Sequence, residues 1–155
     1  MLIRQEKTQQ KYGGANTVID AWLAERQELL VKYCQLAGLP PFESVKNSLP
    51  DHVAITNFCQ ILIDYLSAGH FEIYDSIVKQ CSENGAESAA LAQRLYPLIT
   101  ETTQLLVDFN DKYANLPSDK ELNAFDYDLS EVGTTLEQRM ELEDELIHIL
   151  HSKHS

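Results

Sequence analysis

The groups in this sequence that could bind a metal, carry a phosphoryl group or move a proton are 5 histidines, 3 cysteines and 24 acidic side chains. Glu145-Leu-Ile-His148 has the Glu-x-x-His spacing that puts a carboxylate and an imidazole on one face of a helix. A two-metal site in a helical bundle needs two such motifs plus a glutamate from each of two further helices, so a lone copy falls short of it. His148, His151 and His154 could clasp an ion, although a fraying tail over residues 151–155 is the expected structure. His70 is followed one helical turn on by Ile73 and Tyr74, which are bulky and bring no positive charge to an incoming phosphate. It reads more economically as a hydrogen-bonded or interface histidine. No Gly-rich phosphate loop, Gly-x-Ser-x-Gly elbow or His-Glu-x-x-His occurs. Cys34, Cys59 and Cys81 are widely spaced, with no Cys-x-x-Cys pair and no local activating histidine, which predicts reduced core thiols. The expectation is a binding protein rather than an enzyme, with no catalytic residue, metal or cofactor. The alternative is a phosphotransfer or metal-carrying bundle centred on His70 or on Glu145 and His148.

One stretch stands apart. Ile61-Leu-Ile-Asp64-Tyr65-Leu66-Ser67-Ala-Gly69-His70-Phe71 sets a carboxylate in a helix that is apolar almost all round. Burying Asp64 unpaired would cost several kcal/mol. Either it accepts a bond from its own chain, from Arg26, Tyr65 or His70, or it lines a groove and pairs with a partner's Arg or Lys. Arg26 is correspondingly a weak surface ion pair or the group that orients Asp64. Trp22, Phe71 and Tyr74 are either core side chains or aromatic anchors at a groove.

The elements that must position these residues are helical. Ile19, Trp22, Leu23, Leu30, Tyr33, Cys34 and Ala37 recur at three- and four-residue spacing, and Gly38 with Pro40-Pro41 ends that helix. A second helix follows Pro50 with Ile55, Phe58, Cys59, Leu62 and Leu66 on one face. Gly69 breaks it, and a short helix resumes at His70 with Phe71, Tyr74, Ile77, Val78 and Cys81, stopping at Asn84-Gly85. From Glu87 to about Asn115 another helix carries Leu91, Leu95, Leu98, Leu105, Leu106, Phe109 and Tyr113, with a kink expected from Pro97. Ser118-Asp-Lys-Glu121 fits a capping box. The last helix is marked by Leu122, Phe125, Leu129, Val132, Leu136, Met140, Ile147 and Leu150, with Gly133 a weak point and residues 126–129 irregular. Residues 1–14 are polar and read as a possible frayed arm. The pattern predicts an all-α fold: an antiparallel helical bundle of four long helices with a short extra helix, in one domain over residues 1–155.

Twelve Lys plus Arg against 24 Asp plus Glu give a net charge of -12, which repels phosphate backbones and anionic lipid and favours basic partners. No apolar run approaches the roughly 20 residues that span a bilayer. A soluble, cytoplasmic protein that touches neither nucleic acid nor membrane directly is the expectation.

Asp64-Tyr-Leu-Ser-Ala-Gly-His-Phe71 followed by Ile73-Tyr74, with Ile19-Asp-Ala-Trp-Leu23, Arg26 and Leu29 upstream, resembles the Rsd/AlgQ family of sigma-factor-binding regulators. Phe58-Cys59, Tyr96-Pro97 and Leu142-Glu-Asp144 carry the similarity, in order, over nearly the whole chain. The resemblance implies a helical bundle that binds domain four of the primary sigma factor and blocks its contacts with promoter DNA and core polymerase; a monomer is the expectation. It also implies that Asp20, Trp22, Arg26, Asp64, Ser67, His70, Phe71 and Tyr74 cluster at or beside that surface.

Overall fold

A computed structural model of the chain describes residues 2–14, 17–38, 52–68, 79, 85–115 and 124–154. Five helices account for nearly all of them: α1 (Leu2–Tyr12), α2 (Thr17–Ala37), α3 (His52–Ala68), α4 (Ala86–Tyr113) and α5 (Phe125–His154). Among the described residues there is no strand, and the fold is all-α. The short helix expected from His70, the loop from Pro40 to Pro50 and the capping box at Ser118 fall outside the described residues.

Helices α2 to α5 form a closed ring in which each packs on two neighbours: α2 on α3, α3 on α4, α4 on α5 and α5 on α2. Paired residues run in opposite senses across three seams, and the fourth, between α3 and α4, follows from them. Trp22 meets Tyr65 and Tyr33 meets Phe58; Arg26 meets Glu143 and Tyr33 meets Leu129; Arg139 meets Thr102, while Lys112 meets Asp128. The bundle is therefore antiparallel. Its sequence basis is one apolar stripe per helix, such as Ile19, Trp22, Leu23, Leu29, Leu30, Tyr33 and Cys34 in α2 and Ile55, Phe58, Cys59, Leu62, Tyr65 and Leu66 in α3, all buried.

In α4 the buried stripe is Ala92, Leu95, Ile99, Thr102, Leu106, Phe109 and Tyr113, and two expected core leucines are exposed, Leu98 at 42% and Leu105 at 56%. At 100° per residue these two lie roughly 70–90° round the cylinder from the stripe's centre, beyond the reach of the ring. Helix α4 remains one element through Pro97, and Gly85, at φ 132°, occupies its N-cap in a conformation that side chains with a Cβ rarely adopt.

Residues 2–12 are not a frayed arm. They form α1, which lies on α2 and α5 and buries Gln5, Thr8 and Tyr12 at three- and four-residue spacing. At the far end α5 runs as helix through His154, and it is helical from Phe125 through 126–129, where an irregular stretch is expected.

The two ends of the bundle differ in chemistry. Tyr33, Phe58, Phe109, Tyr113 and Phe125 form an aromatic cluster, with the Phe109 and Tyr113 ring centroids 4.8 Å apart and Tyr113 edge-on to Phe125 at 5.2 Å. Burial pushes the Tyr33 phenol up to about 12, so it stays protonated and donates to the Leu129 carbonyl at 2.9 Å. Gly133 makes room for it: a Cβ there would meet Tyr33 Oη at 2.1 Å. The glycine that looks like a weak point is the notch that admits a tyrosine. At the same end Asp128 accepts bonds from Lys112 Nζ, at 2.7 Å, and from the Tyr113 hydroxyl. Burial raises the Asp128 carboxyl, but these two donors outweigh it and hold it below its ordinary value. Cys34 and Cys59 are buried free thiols, and burial pushes Cys59 up to about 11.

Two outcomes are expected. Gly133→Ala gains about 1 kcal/mol of helix propensity but overpacks Tyr33, so urea melts will show a net loss of about 1–2 kcal/mol, shrinking when Tyr33→Phe removes the hydroxyl. Asp128→Asn will cost on the order of 1 kcal/mol at pH 7. Because the folded carboxyl is depressed, wild type loses this contribution as pH falls from about 3.9 through the lower folded value; the variant's melting temperature will be less sensitive to acid in that window.

Candidate functional site

The structure divides the residues that the sequence groups together. Asp64 is exposed on α3 and accepts from Gln60 Nε2, one turn earlier, at 2.9 Å. Ser67 is exposed one turn further on. Asp20 is also exposed, and its Oδ1 accepts from the Gly14 amide at 2.8 Å, closing the turn between α1 and α2. Because Trp22 pairs with Tyr65 across an antiparallel seam, these three lie at the same end of the bundle, opposite the aromatic cluster.

Trp22 and Arg26 do not belong to that surface. They are 0% and 1% exposed, in the interior of the bundle. Nor is Arg26 the partner of Asp64. Tyr65 and Arg26, two of the candidate donors to that carboxylate, turn inward, while Asp64, one position away and about 100° round the helix, turns to solvent. His70, Phe71 and Tyr74 lie outside the described residues.

What the inward side chains reach is Glu143, itself 0% exposed. The Tyr65 hydroxyl lies 2.8 Å from both Glu143 oxygens and donates to that carboxylate, and Trp22 Nε1 donates to Tyr65 Oη at 2.8 Å. Arg139 Nε donates to Glu143 Oε2 at 3.0 Å, and Arg26 Nη1 stands 3.4 Å from Oε1. Each arginine then continues outward. Arg139 Nη1 donates to the hydroxyls of Thr102 and Thr103, at 2.9 and 2.7 Å, and to the Ile99 carbonyl. Arg26 Nε donates to Gln5 Oε1 at 2.5 Å, and its Nη2 pairs with Asp144 Oδ1 at 2.9 Å. Gln5 Nε2 donates in turn to the Leu23 carbonyl at 2.8 Å. One carboxylate thereby links all five helices.

Electrostatics follow from this enclosure. Burial pulls the Arg26 guanidinium down, but the negative charge of Glu143, with that of Asp144 and its hydrogen bond, outweighs it, and the net shift is upward. Burial and the neighbouring Glu143 both push the Tyr65 phenol well above its ordinary value, so it is a fixed donor. Sealed from solvent and matched in charge, the cluster is built to hold geometry rather than to turn over a substrate.

Elsewhere, His148 is exposed and its Nδ1 lies 2.8 Å from the Tyr12 hydroxyl, which fastens α1 to α5. Among the described residues no group of three or more His, Cys, Asp or Glu is placed to hold a metal ion. A shallow groove of about 200 Å³ between α4 and α5, lined by Leu105, Phe109, Lys112, Asp128, Glu131 and Val132 among others, lies at the aromatic end, away from Asp64.

A family model described as "Regulator of RNA polymerase sigma(70) subunit, Rsd/AlgQ" matches residues 1–151. The chain belongs to the Rsd/AlgQ family. A protein named "Regulator of sigma D" from Yersinia enterocolitica serotype O:8 / biotype 1B is 42% identical over 148 residues, covering 95% of this chain and 88% of that protein. Proteins of the same name from Yersinia pseudotuberculosis serotype O:1b and Salmonella paratyphi B are 39% and 38% identical, covering 95% and 97% of this chain and 87% and 91% of their own lengths. Rsd/AlgQ is a family of regulators, which act by binding rather than by catalysis. In this Rsd/AlgQ chain no helix among the described residues is long and apolar enough to cross a membrane.

The polar hub was not singled out from the sequence, yet a signal for it exists. Glu143 sits seven residues after Leu136 and four before Ile147, and Arg26 four after Trp22 and four before Leu30, so both occupy apolar-stripe positions. Charged groups at stripe positions of different helices must pair with each other when the bundle closes. Arg139→Met, which strips Glu143 of the nearer of its two arginines, is expected to cost about 3–5 kcal/mol in urea unfolding; adding Glu143→Met should recover most of that loss.

Proposed function

We propose that this Rsd/AlgQ chain is an anti-sigma regulator that captures domain four of the primary sigma factor and holds it away from promoter DNA and core polymerase. The single observation that carries this reading is the solvent-facing carboxylate of Asp64, with Ser67 one turn beyond it, on a chain of net charge -12. Asp64 opens the eight-residue segment on which the family resemblance rests, and His70, Phe71 and Tyr74 follow it directly in sequence.

The physical logic is complementarity. A helix-turn-helix module that reads DNA presents cationic side chains to phosphates. An acidic surface attracts the same side chains, and steering of this kind reaches beyond contact distance when salt is low. Asp64 supplies a directional acceptor for an arginine or lysine, and aromatic side chains downstream supply apolar anchors. A partner covered in this way cannot present the same face to DNA. Asp20 borders the surface, whereas Trp22 and Arg26 lie beneath it and act through the backbone they fix. We further place the protein in the cytoplasm, acting as a monomer.

Titration of the purified chain with isolated sigma domain four tests this. A saturable complex that weakens as salt rises is expected, with Asp64→Ala lowering affinity by about tenfold. Glu131→Ala, an exposed change on α5 at the aromatic end, should leave affinity unchanged. Absence of a complex at low salt refutes the partner; equal affinities for the two variants refute the surface.

A further inference from the structure

We propose that Tyr65 and Glu143 are positioning residues for the partner-binding surface: their buried hydrogen bond fixes the rotation of α3, and with it the direction in which Asp64 and Ser67 face. This rests on the reading of that surface given above.

The apolar contacts of α3 do not by themselves define its rotation closely. Hydrophobic burial is non-directional, and a helix with Ile61, Leu62, Ile63, Tyr65 and Leu66 within one turn and a half has apolar surface on several sides. Ile61 and Ile63 are each half-buried, flanking the stripe of Ile55, Phe58, Leu62 and Leu66 on either side. A modest roll of α3 would exchange one isoleucine for the other at little energetic cost. The bond from Tyr65 to Glu143 is different, because hydrogen bonds weaken steeply away from their preferred angle. Both Glu143 oxygens lie 2.8 Å from the Tyr65 hydroxyl, and the carboxylate is itself held by Arg139 and Arg26 from α5 and α2. Rolling α3 pulls the hydroxyl out of that cradle and breaks the bond from Trp22 as well.

The energetics point the same way. Removing two arginines and a glutamate from water is expensive, and apolar residues of similar volume commonly give equal or greater stability. A hub of this kind is therefore poorly explained by stability alone. Orientation is what it supplies. Asp64 and Ser67 follow Tyr65 rigidly because they share its helix, each at a fixed angle from it.

The test compares two buried phenols: each variant loses the bond its hydroxyl donates, and Tyr65→Phe also removes the acceptor of the bond from Trp22 Nε1. Tyr65→Phe removes the tie to Glu143; Tyr33→Phe removes the bond to the Leu129 carbonyl at the aromatic end. Both lower the melting temperature, so loss of stability is common to them. With folded protein confirmed by circular dichroism, Tyr65→Phe is expected to weaken binding of isolated sigma domain four by about tenfold, and Tyr33→Phe by less than about twofold. If Tyr65→Phe binds as wild type, or the two variants weaken binding alike, the positioning role is overturned. Asp64→Ala, measured in parallel, separates the two levels: if it weakens binding while Tyr65→Phe does not, the surface stands and only the positioning role falls. If Asp64→Ala leaves binding unchanged, the surface is wrong and the role of Tyr65 and Glu143 falls with it.

Discussion

A single buried carboxylate sets the terms on which this bundle closes. Glu143 is stable inside the protein only when Arg139, Arg26 and the Tyr65 hydroxyl converge on it, and those three groups come from α5, α2 and α3. Their own remaining donors reach Thr102 and Thr103 on α4 and Gln5 on α1. An arrangement in which one helix slid by a turn would strand at least one ion in a medium of low polarity, at a penalty of several kcal/mol. The hub thus acts against alternative packings, a role that interchangeable leucines and isoleucines perform poorly.

The opposite end of the bundle works by shape instead. Five aromatic side chains from four helices fill it; the Tyr33 hydroxyl is met by a backbone carbonyl reached across the space that Gly133 leaves open, and the Tyr113 hydroxyl by Asp128. Directional bonds at one end and aromatic packing at the other fix the relation of α2, α3, α4 and α5 from both sides. Asp64 and Ser67 emerge near the directional end, where rotation about the helix axis is most tightly defined.

That location reconciles two facts about Asp64 that conflict when the sequence is read alone. Its neighbours Ile61, Leu62, Ile63, Tyr65 and Leu66 imply a buried helix, and a carboxylate among them looks in need of an internal partner. The helix is indeed buried on a broad face, but Asp64 shares its outer side with Gln60 and Ser67 and accepts from Gln60 along its own helix. This charge therefore stays outside, while Glu143 and Asp144 take the ion pairs with the buried Arg26 and Arg139.

The sequence by itself determined the all-helical class, the apolar stripes of α2 and α3 and the family, because each follows from residue spacing or from a contiguous segment such as Asp64 to Phe71. It also carried the acidic balance that limits the choice of partner. Only the tertiary structure decided that Trp22 and Arg26 are interior, that Leu98 and Leu105 are not, and that the polar segment at residues 2–12 is a docked helix. The physical reason is common to all of these. Burial of a given side chain depends on which face of a neighbouring helix meets it, and a buried polar group is tolerated only when its partner, here as distant in sequence as Glu143 is from Arg26, arrives at the same point in space.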